Sequence, residues 1–117
     1  MKNILITALT IIVSTFAYSE MKPFEGTIYL VGSHLQSHGS TDLNQEGIIY
    51  FYMNNLPGAC GTTHKRIAVT TNHPLFNTFS AMILSAHAQS ATVNGLYIDS
   101  CTYRSDAWDL AVLAIKQ

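Results

Sequence analysis

The residues best equipped for chemistry or recognition gather near the C-terminal end, in the run Asp99-Ser100-Cys101-Thr102-Tyr103-Arg104-Ser105-Asp106. Hydroxyls, an aromatic ring, an arginine and two carboxylates occupy consecutive positions there, followed closely by Trp108. Tyr103, Arg104, Ser105, Asp106 and Trp108 therefore form a candidate binding loop. Rings offer a face for stacking, and the polar groups can fix a ligand's hydroxyls or amides. Asp106 and Asp109 also flank Trp108, a combination that glycosidases use, with one carboxyl as acid and the other as base or nucleophile. A plainer reading of the same residues is preferred: Asp106 ends a turn, Trp108 starts a strand by filling the core, and Asp109 points to solvent by strand alternation. A small hydrolase using Asp99 or Asp106 as acid or base is the weaker alternative. The chain has no G-x-S-x-G turn and no H-E-x-x-H helix, so no catalytic residue is assigned.

Five histidines invite a metal hypothesis, and His34 and His38 stand four apart. That offset places two rings on one face only in a helix, and the surrounding Gly32, Ser33, Ser37, Gly39 and Ser40 oppose helix. His64, His73 and His87 fall in a loop, a helix start and a helix, with nothing to bring them together. Neither a metal site nor a cofactor is expected. Cys60 and Cys101 are the only cysteines, and without a C-x-x-C or Cys-His cluster they are expected to pair as a structural disulfide. Closing a loop of roughly forty residues would stabilise the fold by about 4 kcal/mol on the chain-entropy model.

The compartment follows from the N-terminus. Lys2 precedes an uncharged, mostly apolar run, Ile4 to Phe16, and Ala17-Tyr18-Ser19 supplies small residues where a signal peptidase reads. Residues 1–19 are expected to be a signal peptide cleaved after Ser19, since the run is too short for a bilayer anchor. The rest, 20–117, is expected to be one domain, periplasmic or secreted. It keeps five basic against seven acidic side chains, a net charge of −2. With no basic cluster beyond Lys65-Arg66, nucleic acid and anionic membranes are poor partners.

Around these residues the pattern predicts five strands and one helix. Gly26 to Gly32 reads as the first strand, with strand formers between glycines. Ser33 to Gly47 is polar and reads as an exposed loop or wide hairpin connection. Ile48 to Met53 is a second strand expected to be covered on both faces, closed by the turn residues Asn54 to Gly58. Arg66 to Thr70 is the third. Asn72 or His73 can cap a helix with Pro74 in its first turn, and Leu75, Phe76, Phe79, Met82, Ile83 and Ala86 form one apolar stripe, leaving Leu84 outside it. Thr92 to Ile98 is the fourth strand, with Asn94-Gly95 a candidate bulge, and Trp108 to Ile115 the fifth. The fold class is mainly β (α+β). The order βββαββ, with the helix between strands 3 and 4, is that of a five-stranded OB-fold-like barrel.

With its signal peptide, two cysteines, the helix H-P-L-F-N-T-F-S-A-M-I-L-S-A-H-A-Q and the strand A-T-V-N-G-L-Y-I after it, the chain resembles small exported OB-fold proteins of bacteria. Among them it looks most like B subunits of the subtilase-cytotoxin and typhoid-toxin type. The resemblance implies ring oligomers that bind sialylated glycans, and it carries over no individual binding residue. The expected function is a noncatalytic binding module for a glycan or protein partner outside the cytoplasm, acting as a homo-oligomer. An inhibitor or partner of an exported enzyme is the alternative.

Overall fold

A computed structural model of the chain describes residues 20–37 and 39–116. The expected signal peptide, 1–19, and His38 lie outside the described residues. The elements are β1 (Met21–Thr27), β2 (Leu30–Leu35), β3 (Gly47–Tyr52), a short 3-10 turn (Ala59–Gly61), β4 (Arg66–Thr70), α1 (Phe76–Ala88), β5 (Thr92–Ile98) and β6 (Trp108–Lys116). They build a mainly β fold, one curled six-stranded sheet in the order β1-β5-β6-β4-β3-β2 with a single helix.

The expected first strand, Gly26 to Gly32, is instead the junction of two. β1 ends at Thr27, paired with β5, and β2 begins at Leu30, paired with β3. The chain thus crosses from one edge of the sheet to the other within Ile28-Tyr29. Core packing and a hydrogen bond hold this bend: the Ile28 side chain is buried in the core, and the Tyr29 N–H donates to the Tyr52 carbonyl at 3.1 Å. Strand propensity runs unbroken through G-T-I-Y-L-V-G, which is why composition shows one strand and only the change of neighbour shows two. β2 also takes Ser33 to Leu35 from the expected loop, which shortens it to a hairpin connection between β2 and β3.

All neighbouring strands are antiparallel except β4 and β6, which pair in parallel through Ile67↔Trp108 and Ala68↔Asp109. Alternation sorts the side chains by face. Ile49 and Phe51 of β3, Ile67 and Val69 of β4, and Trp108 and Leu110 of β6 enter the main core together with Phe79, Ile83 and Ala86 of α1. Ile48, Ala68 and Ala107 form a second, smaller cluster on the opposite face, joined by Tyr50 and Tyr103. β3 is indeed covered on both sides at its start, while Tyr50 and Tyr52 stay half-buried.

The helix begins at Phe76, later than the capping signal suggests. No side chain caps it; His73 Nδ1 accepts from the Leu75 N–H at 3.0 Å, and Asn72 Oδ1 takes the Thr70 hydroxyl at 2.5 Å. Leu75 is consequently exposed rather than part of the buried stripe, as is Leu84. The expected irregularity at Asn94-Gly95 is displaced as well. The register shift falls between Leu96 and Tyr97, where Val112 and Leu110 are the partners and Ala111 is the extra residue on β6.

Candidate functional site

The β5–β6 loop does not extend into solvent; it folds back over the outer face of β3 and β4. Asp109 makes this possible. It lies on that outer face, as alternation requires, but it is only 3 % exposed because the loop covers it. Its carboxylate accepts from the Ser100 hydroxyl at 2.6 Å, from the Thr102 N–H at 2.9 Å and from the Tyr103 N–H at 3.3 Å. The expectation of a solvent-facing Asp109 is thus corrected: a short acid after a tight loop can take the loop's own orphan donors, which a strand pattern does not reveal.

From this anchor the loop carries Tyr103 onto the small apolar cluster and turns at Arg104 to Ala107, where the Ala107 N–H donates to the Arg104 carbonyl. Burial pushes the Tyr103 hydroxyl pKa up, and the nearby Asp109 charge adds to the rise. The turn delivers Asp106 to Arg66. The Arg66 guanidinium donates to both the Asp106 carboxylate and its backbone carbonyl, in a side chain only 8 % exposed. Its other contacts are aromatic: the guanidinium carbon lies 4.8 Å from the Tyr50 ring centre and 5.7 Å from that of Tyr52. A buried arginine needs such an anion and such ring faces to offset its lost hydration.

Tyr50 itself depends on Gly32, its register partner on β2. A Cβ at Gly32 would run into the Tyr50 ring, so the bare backbone is the seat on which the ring lies. Tyr52 continues the row: Tyr29 sits 5.9 Å away on one side, and the Tyr52 hydroxyl bonds His64 Nδ1 at 3.2 Å on the other. His64 Nε2 approaches Asp106 at 3.9 Å, Arg104 Nε approaches it at 3.5 Å, and Arg104 also donates to the Gln36 carbonyl at 3.1 Å. Gln36 in turn donates to the Tyr103 carbonyl at 2.6 Å, which ties the β2–β3 connection to the loop. Burial would raise the Asp106 pKa, but the hydrogen bond and charge of Arg66, with Arg104 and His64, outweigh it and hold the carboxyl below its ordinary range.

Of the candidate loop residues, Tyr103, Arg104 and Asp106 therefore come together over the outer face, and Ser105 stands exposed at the tip of the turn. Trp108 does not join them. It is a core residue, its ring 5.2 Å from that of Tyr97 and its indole N–H donating to the Pro57 carbonyl at 3.1 Å. The two acids considered for catalysis are held apart in different ion pairs, Asp99 with Lys22 at 3.1 Å and Asp106 with Arg66. Cys60 and Cys101 form the expected disulfide, which fastens the start of the loop to the 3-10 turn. Among the described residues no three His, Cys, Asp or Glu side chains converge on a metal position, and no helix is long and apolar enough to cross a membrane.

The residues missed by sequence reasoning are Tyr29, Gly32, Tyr50, Tyr52, His64, Arg66 and Asp109. The two tyrosines of β3 were the available signal, since Tyr50 and Tyr52 share one face by alternation. No protein-family profile matches the chain, and no curated protein or solved structure matches it either.

Proposed function

We propose that the chain is an exported, noncatalytic binding module of the OB-fold type whose outer β2–β3–β4 face and β5–β6 loop recognise a glycan. The observation that carries the reading is the loop itself. Its backbone and the Arg104 side chain are held before any ligand arrives, by the disulfide, by Asp109, by the Arg66–Asp106 pair and by the Gln36 carbonyl, with the exposed ring of Tyr29 and the half-buried ring of Tyr52 on the same outer face. Preorganised polar groups next to ring faces suit a sugar, whose C–H face stacks while its hydroxyls take hydrogen bonds.

Counting β1 and β2 as one bent strand supports the OB type: the order becomes βββαββ, and that bent strand contacts both β5 and β3. The low pKa of Asp106 and its tight pairing argue for a structural rather than an acid-catalytic role. The disulfide favours an oxidising destination. We further propose a ring oligomer of the kind formed by the toxin B subunits the chain resembles; exposed Leu84 on α1 is a residue such a neighbour would cover.

A glycan array with the wild-type protein and the variants Tyr29→Ala and Arg104→Ala, read together with light scattering, tests this. The expected result is selective binding by an oligomer, lost in both variants. A strict monomer that retains nothing on the array overturns it.

A further inference from the structure

Strand alternation gives the sheet a second outward surface, on β1, β5 and β6. Phe24, Gly95 and Leu113 are register partners on the core side, so Met21, Pro23, Leu96, Ile98, Val112 and Ala114 point outward. These side chains adjoin. Met21 pairs with Ile98, and Pro23, Leu96 and Val112 make one row across the three strands. Among the described residues none of them joins either core cluster. Met21 is 54 % and Val112 44 % exposed, while Leu96 and Ile98 on the middle strand are half-buried. A contiguous apolar face of this kind, unlike scattered exposed residues, marks a contact surface. The edge beside it is closed to strand addition: Pro23 has no N–H to donate, and the Glu25 carbonyl already accepts from the Asn55 amide. A partner must therefore lie on the face itself.

The charges at its border select the partner. Glu25 of β1 and Lys116 of β6 both point to this side and meet at 2.8 Å across the intervening β5. A carboxylate and an ammonium thus stand on opposite flanks of one central strand. A two-fold axis along β5 would lay β1 of one copy on β6 of another. Each Glu25 then faces Lys116 of the other copy, Pro23 faces Val112, and Leu96 meets its own counterpart. Apolar rows cover apolar rows, and every bordering charge meets its opposite. We propose that the outward β1–β5–β6 face is a homodimer interface with this two-fold, sheet-on-sheet packing. An anionic membrane or a strongly charged protein gains nothing from a border whose charges cancel. The ion pairs set orientation more than affinity, which comes from the covered apolar rows. This contact does not rest on the glycan reading or on the ring, which would cover Leu84 on α1 instead.

Sedimentation of the purified protein at about 100 μM, far above a low-micromolar Kd, is expected to show a dimer or a multiple of it. Val112→Lys alters an exposed side chain, so it should keep the wild-type near-ultraviolet spectrum and unfolding temperature. It should nevertheless raise the dimer dissociation constant by about a hundredfold, because the charge enters the contact twice. Glu25→Lys and Lys116→Glu should each weaken self-association by about tenfold, since like charges then face each other. An equimolar mixture of the two should restore it, every facing pair now being of opposite sign. A mixture that stays apart overturns the proposal, and this arm decides alone should Val112→Lys fail to fold. A monomeric wild type overturns it too, including one that binds phosphatidylcholine vesicles instead. So does an oligomer that persists in Val112→Lys; if that oligomer is lost in Leu84→Lys, the ring stands and this contact falls. A dimer kept in Leu84→Lys and lost in Val112→Lys supports this contact and removes the ring.

Discussion

Asp106 and Arg66 illustrate how much one pair can be asked to do. Arg66 is largely buried against two tyrosine rings, so removing its anion leaves a poorly hydrated charge without its partner. Asp106→Asn is expected to destabilise the fold by about 2 kcal/mol near neutral pH, less than a fully buried pair because the carboxylate is partly solvated. The pH dependence follows from the direction of its shift. A carboxyl whose folded pKa lies below its unfolded value of about 3.9 contributes fully above that value and loses its contribution as pH falls through the folded pKa. Urea unfolding as a function of pH should show wild-type stability declining below about pH 4, with a flatter acid limb in Asp106→Asn. Equal slopes would mean that the pair contributes nothing to acid sensitivity. Asp109 is the second such residue. Asp109→Ala would leave the Thr102 and Tyr103 N–H groups without their acceptor, at a cost of about 2 kcal/mol or more. Loss of protection of those amides in hydrogen exchange would locate the effect in the loop.

At the scale of elements, the strands and helix that pack on both sides were readable and the bend between β1 and β2 was not. β3, β4, β5, β6 and α1 each have a core face whose periodicity matches their geometry, and they form within a residue or two of where that pattern puts them. The bend has no periodicity of its own, because the strand formers between Gly26 and Gly32 run without a break and only pairing partners divide them. Its stability is testable through the residue that anchors it. Ile28→Ala should cost about 3 kcal/mol, typical of a buried large-to-small change, measured by denaturant unfolding. Gly32→Ala tests the outer face in turn. The added methyl must displace the Tyr50 ring, so thermal unfolding should move down by several degrees, roughly 1–2 kcal/mol, with a changed near-ultraviolet tyrosine spectrum. An unchanged spectrum would show that the ring does not need its bare seat.

For the whole molecule, the disulfide connects what the elements alone would leave loose. Its ends are 41 residues apart, and it joins the turn after β3 to the loop that covers the sheet. Reduction should lower stability by up to about 4 kcal/mol, and reduced protein should lose protection first in residues 99–107. A reduced form with unchanged unfolding would place the loop's order wholly in Asp109 and Arg66. The cysteine pairing was legible in the sequence because two cysteines admit one connectivity, and the hydroxyl-rich character of the loop was legible from composition. The sequence by itself also determined the class of the fold, since alternation and one apolar helical stripe are local properties of the chain. Which way the loop lies, whether Asp109 meets water or backbone donors, and that the Tyr50–Tyr52 row meets Arg66 on the outer face were decided only by tertiary structure. Those outcomes depend on contacts between residues as distant as Gln36 and Tyr103, or Arg66 and Asp106, and no local pattern encodes a partner that the chain must fold to reach.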